Sequence, residues 1–189
     1  MATFDASLRP FPALGDEAGG RSPSDAALVR DARRGSAAAW SALFERHWPM
    51  ALRAAYLVVH DAAAAEDVAQ DAFLSALRAL DRFDRRRPFA PWLHRIVVNR
   101  AIDHTRRPAR RAEVAAEHAP ESAAPERGAP DDALMAALRA LPPEHRAVVV
   151  MRHLLEMTPG EISTALGVPR GTVNSRLRRA LDRLGEELG

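Results

Sequence analysis

The 189-residue chain has no cysteine, no lysine and a single tyrosine. It also has no apolar run near the ~18 residues that a membrane-spanning helix needs. The absence of cysteine excludes disulfides, thiolate metal sites and thiol redox sensing in this chain. With no lysine, all 27 fixed side-chain cations are arginines, a bias that fits an alanine-heavy, GC-rich coding sequence and also suits phosphate and guanine. No basic segment followed by a hydrophobic one opens the chain, so no secretory signal is expected and the simplest expectation is a cytoplasmic protein without membrane insertion. His47, His60, His94, His104, His118, His145 and His153 are scattered. None pairs with a second histidine and a carboxylate at metal-ligand spacing, and no phosphate-binding glycine loop is present. No metal, no cofactor and no catalysis by the chain alone are therefore expected.

Charge is what the chain does have, and it is segregated. The formal net charge is +2. Yet Arg82 to Arg111 holds ten arginines against two aspartates, and Val168 to Leu184 holds five arginines against one aspartate. Between them, Ala112 to Asp132 carries six acidic residues and one arginine. Two basic patches separated by an acidic stretch suit two contacts with a polyanion.

The last fifty residues carry a helix-turn-helix pattern. Thr158 is placed to cap a helix, Pro159 suits its first turn, and Glu161 completes a capping box. Gly167 supplies the left-handed turn and Pro169 helps to start the next helix, whose inward stripe is expected to be Val173, Leu177, Leu181 and Leu184. The opposite side presents Asn174, Ser175, Arg178 and Arg179, flanked by Arg170, Arg176 and Arg183. An arginine-rich face on the second helix of such a motif is what reading a major groove requires.

Apolar periodicity places the remaining elements. Residues 1–23 have none and are expected to form a disordered tail. Ser24 caps a helix ending at Gly35, and Ser36 starts a longer one in which Pro49 predicts a kink near His47 or Trp48. Asp61 begins a third helix to about Leu80, with Ala65, Val68, Ala69, Ala72, Phe73, Ala76, Leu77 and Leu80 inward. After a loop from Asp81 to Ala90, a fourth helix runs from about Pro91 to Arg107 and is expected to end at Pro108. Residues 108–130 read as a flexible linker that could span roughly 75 Å if extended at ~3.3 Å per residue. Four more helices follow, about 131–140, 143–155, 159–166 and 170–184. No strand pattern is visible. The expected fold is all-α: two small helical domains, 24–107 and 131–189, joined by the linker.

Two further faces stand out in the first domain. Asp67, Gln70, Asp71 and Leu74 recur at i, i+3, i+4 and i+7 on the outer side of the third helix. A plain solvated face is one reading; a protein-binding face is the other, since acidic groups do not suit DNA. On the fourth helix, Arg95, Asn99 and Arg106 share a side, with Trp92 and Asp103 at its edges and Phe83 and Phe89 nearby. Arginines that hold phosphate, flat rings that accept unstacked bases and an amide that reads base edges suit single-stranded DNA. A core Trp92 with ordinary surface arginines is the alternative. Arg100 has no assigned role.

The run Ala65-Glu66-Asp67-Val68-Ala69-Gln70-Asp71-Ala72-Phe73-Leu74, with Ala79-Leu80-Asp81-Arg82-Phe83 and Pro91-Trp92-Leu93-His94-Arg95-Ile96-Val97-Val98-Asn99, resembles region 2 of bacterial sigma factors of the extracytoplasmic-function (ECF) type. Gly171-Thr172-Val173-Asn174-Ser175-Arg176-Leu177 resembles region 4 of the same family, and the likeness spans about Asp25 to Leu184 apart from the linker. It implies a non-catalytic factor that binds core RNA polymerase, at its β′ clamp and β flap, and directs it to promoter DNA. On that resemblance Asp67, Gln70, Asp71 and Leu74 would meet the polymerase. Phe83, Arg85, Trp92, Arg95, Asn99, Asp103 and Arg106 would serve the −10 element, with Phe83 and the 84–90 loop near a flipped base. Asn174, Ser175, Arg178 and Arg179 would enter the −35 major groove, and Arg170, Thr172 and Arg176 would contact phosphates. It further implies control by an anti-sigma factor. The arginine-rich loop Arg85 to Arg87 and Arg178 depart from the family pattern and leave the promoter sequence open. A helix-turn-helix regulator independent of polymerase is the runner-up; it leaves the acidic stripe and the aromatic-arginine helix unexplained.

Overall fold

The computed structural model describes residues 22–114 and 130–188; residues 1–21 of the expected N-terminal tail and residues 115–129 of the expected linker lie outside the described residues. Eight helices occur among the described residues: α1 (Asp25–Ala32), α2 (Ala37–Val59), α3 (Ala62–Ala79), α4 (Phe89–Val114), α5 (Pro130–Ala140), α6 (Pro143–Val149), α7 (Pro159–Leu166) and α8 (Arg170–Leu188). A short 3₁₀ turn, Leu80–Arg82, follows α3, and a π turn, Val150–Leu154, extends α6. No strand is present among the described residues.

Polar caps fix the starts of the first three helices. Ser24, Ser36 and Asp61 accept the N–H groups of Ala27, Ala39 and Ala64 at 3.3, 3.2 and 2.7 Å. Each satisfies a donor that a helix N-terminus leaves unpaired. Gly35, at φ +90°, turns the chain between α1 and α2. Two prolines expected to disturb helices do not interrupt them. α2 runs unbroken through Pro49, and α4 continues past Pro108 to Val114, so Pro108 does not end it. A proline removes one backbone bond, to the carbonyl four residues back, while its neighbours keep theirs.

Helices α2, α3 and α4 pack as a bundle with α1 against it. Leu43, Val58, Leu93, Val97 and Val98 are fully covered, and Ala51, Ala54, Ala65, Ala69, Ala72 and Ala76 line the helix contacts. Alanines there let the backbones approach closely. Leu77, expected inward, is 43% exposed because Ala76 and Leu80 take the core positions. An aromatic tier of Trp40, Phe44, Trp48 and Phe73 closes one side.

In the second half, Thr158 and Glu161 form the expected reciprocal capping box, and Gly167 takes the expected left-handed conformation at φ +65°. On α8 the covered stripe is Val173, Ala180 and Leu184 with a half-buried Leu177; Leu181, expected inward, is 43% exposed. Ala180 lies one step round the helix and fills the place against α5 and α6. The halves share a core: Ala147, Val148, Met151 and Ile162 pack in one cluster with Leu43, Val58 and Val97. Leu57 of α2 joins a second cluster with Ala137, Leu138, Leu141, Ala180 and Leu184.

His94 lies in the first core, 8% exposed, with neither ring nitrogen hydrogen-bonded. Burial, and secondarily the nearby His47, push it down to about 4. A histidine depressed in the folded state adds stability that is intact above its unfolded value near 6.5 and is lost as pH falls toward 4. The share lost at pH 5 is about 2 kcal/mol. Urea unfolding at pH 7.5 and 5.0 should show at least that loss, since burial also pushes His60 down to about 4. His94→Leu should remove about 2 kcal/mol of it; equal pH dependence of the two proteins would contradict this. A second expectation separates backbone strain from packing. A Cβ built at Gly167 or Gly171 meets nothing within 4 Å, and only Gly167 has positive φ. Gly167→Ala should therefore cost about 1–2 kcal/mol in thermal unfolding, while Gly171→Ala should stabilise by roughly 0.5–1 kcal/mol.

Candidate polymerase and nucleic-acid interfaces

The acidic stripe on α3 is open. Asp67, Gln70 and Asp71 are exposed, and Leu74 is 50% exposed. Behind it, Ala65, Val68, Ala69 and Ala72 bury the opposite side, so the stripe's direction is set by the core. None of the ion pairs among the described residues uses Asp67 or Asp71. Two carboxylates, an amide and an unburied leucine on a rigid helix suit a partner with cationic and apolar groups.

The second site is built by α4 and the loop before it. Trp92, Arg95, Asn99 and Asp103, four of the residues expected together, line one groove of about 360 Å³ with Ser75, Ala79, Ile96 and Arg100. Val97, Val98 and Ala101 are fully covered on the other side of α4, which turns the polar face outward. Arg100, without a role from sequence, donates to the Ser75 hydroxyl at 2.8 Å and braces the groove's α3 wall.

Phe83 is not at the surface. It is 6% exposed, with its ring centroid 5.9 Å from that of Phe89 and 4.8 Å from that of Trp92. It forms the floor of a separate cavity of about 150 Å³, whose walls include Asp25, Val29, Arg85, Arg87, Pro88 and Phe89. Arg85 is exposed at this cavity while Trp92 is half-buried beside it. Asp25 was missed from sequence, where it reads only as the start of α1. Its carboxylate is held by Arg46 at 2.6 Å and by the His47 Nε2 at 2.9 Å. That pairing spans more than twenty positions and leaves no local signal.

The third site is the outer face of α8. Asn174, Arg178 and Arg179 are exposed, with Arg170 at the first turn. Thr172, Ser175 and Arg176 are half-buried. The Ser175 hydroxyl donates to the Thr172 carbonyl at 3.0 Å, so it faces a partner as an acceptor. The α7–α8 turn is rigid: the Ser163 hydroxyl donates to the Val168 carbonyl at 2.6 Å, and the Val168 N–H to the Ser163 carbonyl at 3.2 Å.

The α4 face and the second half touch. The Asn99 amide donates to the Ala165 carbonyl near the end of α7 at 3.1 Å. The Arg106 guanidinium pairs with the Glu144 carboxylate at 3.0 Å. Arg146, 6% exposed, donates to the Val58 carbonyl at the end of α2.

Comparison with known proteins gives a consistent picture. The family model "Sigma-70 region 2" matches residues 43–111, and "Sigma-70, region 4" matches residues 131–184. The ECF RNA polymerase sigma factor SigM of Mycobacterium tuberculosis is 38% identical over 183 residues, 94% of this chain and 91% of SigM. The RNA polymerase sigma-H factor of Pseudomonas aeruginosa is 32% identical over 180 residues, 87% of this chain and 93% of that protein. Among solved structures, CnrH in complex with the cytosolic domain of CnrY superposes with TM-score 0.64 at 30% identity, covering 88% of this chain and 97% of CnrH. The fold is also shared with the sigma factor RpoE of Bartonella quintana, solved with the anti-sigma factor NepR, at TM-score 0.67 and 22% identity over 78% of this chain and 95% of that one. With relatives matched along nearly their whole length and both family regions in order, the chain belongs to the extracytoplasmic-function group of the sigma-70 family of RNA polymerase sigma factors.

Proposed function

We propose that this sigma factor divides initiation among its three faces: α3 holds core polymerase, α4 with the preceding loop opens and reads the −10 element, and α8 reads the −35 element. The observation that carries the proposal is the groove lined by Trp92, Arg95, Asn99 and Asp103, in which cations, an amide and a ring are assembled beside the acidic α3 stripe. The chain itself makes and breaks no bonds; it positions a polymerase.

Each face has a physical role. Asp67, Gln70, Asp71 and Leu74 form a cation- and apolar-accepting stripe that suits a polymerase clamp and excludes DNA by charge. Arg95 and Arg106 hold strand phosphates, and Asn99 pairs with a base edge. The cavity over Phe83, with Arg85 at its wall, suits one unstacked base. Extruding a base costs a few kcal/mol, which an apolar pocket and strand-holding arginines offset. On α8, Arg178 and Arg179 suit guanine edges, with Asn174 and Ser175 beside them, while Arg170, Thr172 and Arg176 suit phosphates. Control by a protein inhibitor of the anti-sigma class is part of the proposal. CnrH was solved with a protein partner, and the fold is that of a sigma factor solved with an anti-sigma factor.

Gel filtration with bacterial core polymerase tests the first face. The unsubstituted chain should co-elute, and Asp67→Arg with Gln70→Ala should weaken binding more than about tenfold, a loss near 1.4 kcal/mol, with unchanged helicity. Co-elution by the doubly substituted chain would place the polymerase contact elsewhere. Holoenzyme binding to duplex promoter tests α8. Arg178→Ala or Arg179→Ala should cost about 1–3 kcal/mol and relax base preference at one position, whereas Arg170→Ala should weaken all sequences alike and lower the salt slope by about 1.

A further inference from the structure

Helix α1 lies ahead of residues 43–111, which match the family region, yet it forms a wall of the cavity over Phe83. It is clamped there at both ends. Arg46 of α2 donates to the Asp25 carboxylate at 2.6 Å and to the Pro23 carbonyl at 2.9 Å. At the far end, Arg33 donates to the Asp81 carbonyl at 2.7 Å, in the turn that leads into Phe83. The cavity therefore has a fixed wall that the loop before α4 does not supply.

Among the described residues, Asp25 is the one acidic side chain that lines this cavity; Arg85 and Arg87 are its cations, and the rest of the lining is apolar. Arg46 holds one carboxylate oxygen and the His47 Nε2 donates to the other at 2.9 Å, so the rotamer is locked. Each oxygen keeps a second acceptor site. A purely structural anchor would be sealed by its two partners, whereas the Asp25 side chain stays 27% exposed and borders the cavity. Arg87 leans on Asp84 at 3.8 Å, while none of the ion pairs among the described residues uses Arg85.

We infer that Asp25 is a specificity-determining residue, whose carboxylate selects, for the base unstacked over Phe83, one that carries an exocyclic amine: cytosine before thymine. The inference rests on the reading of that cavity as the seat of an unstacked −10 base. A carboxylate accepts and does not donate, and the guanidinium of Arg85 donates and does not accept. Cytosine meets both, with its N4 amine for Asp25 and its N3 and O2 for Arg85. Thymine and uracil have a carbonyl in the amine's place, so two acceptors would face each other away from water, without a proton between them. Adenine carries the amine as well but needs room for a second ring, which a cavity of about 150 Å³ does not favour. Because Arg46 and His47 hold the carboxylate in advance, little ordering is needed when the base arrives.

The test uses holoenzyme, assembled from bacterial core polymerase and the full chain, on a promoter that it opens. 2-Aminopurine replaces each base of the displaced −10 strand in turn, and any position that brightens on opening marks an unstacked base. At such a position, cytosine and deoxyuridine are compared; they are alike in size and differ in amine against carbonyl. The unsubstituted holoenzyme should bind the cytosine strand at least about tenfold more tightly. Asp25→Asn keeps the side chain's shape and sets an amide N–H beside the base. It should shrink that preference below about threefold or reverse it, with preferences at the other −10 positions unchanged. Equal binding of the two strands by the unsubstituted holoenzyme overturns the inference, and that measurement needs no variant to fold. Asp25→Asn that weakens both strands alike also overturns it, since that is the signature of a structural anchor. In both cases a brightened position leaves the cavity reading in place. If no position brightens, that reading fails and the inference falls with it.

Discussion

One buried guanidinium organises the second half and its seat on the first. Arg146 projects from α6 and donates to the carbonyls of Arg139 and Leu141 at 3.0 and 2.9 Å, and to that of Val58. The first two lie at the end of α5 and in the turn that follows, where a helix leaves acceptors unpaired. The third closes α2. Burial and the neighbouring Arg139 push Arg146 down to about 10, so it stays charged at neutral pH. A cation that is desolvated must be repaid by its hydrogen bonds, and three carbonyls do so here. Removing it would leave buried acceptors unpaired at about 1–3 kcal/mol each. The α5–α6 corner, and through it the angle at which α8 is presented, depends on this side chain.

The first half is positioned by a different constraint, the small size of its core residues. Alanines at 51, 54, 65, 69, 72 and 76 bring α2, α3 and α4 close together. Close packing leaves little freedom for the helices to rotate. The stripe on α3 and the groove on α4 are therefore fixed in direction by the helices that carry them. A functional face held by rigid helices loses less entropy on binding than one carried by loops. The two faces sit on adjacent helices, with Ser75 of α3 and Arg100 of α4 joined at the groove's edge.

Much of this was legible in the sequence, for stated reasons. Capping residues act locally, so Ser24, Ser36, Asp61 and the Thr158–Glu161 box marked helix starts correctly, as Gly167 marked the turn. Core stripes were legible to within one helical step: Leu77 and Leu181 were expected inside and are exposed, while Ala76 is covered as expected and Ala180, not expected, takes the covered place on α8. Large apolar residues attract such assignments, yet a close helix contact selects the small one. Pro108 was read as the end of a helix because propensity is local, yet α4 continues past it to Val114. What the sequence did not reveal is long-range. The Asp25 carboxylate beside the Phe83 cavity, the Arg146 bond to Val58 and the Asn99 bond to Ala165 join residues far apart in the chain. No periodicity records them.

The most direct test of the account is run-off transcription with bacterial core polymerase on promoter-bearing fragments from the same genome, with and without the purified chain. The account requires specific initiation that depends on the chain and disappears on Asp67→Arg with Gln70→Ala. Tight, salt-sensitive binding to duplex DNA without polymerase, together with no initiation on any fragment, would contradict it and favour a regulator that acts alone.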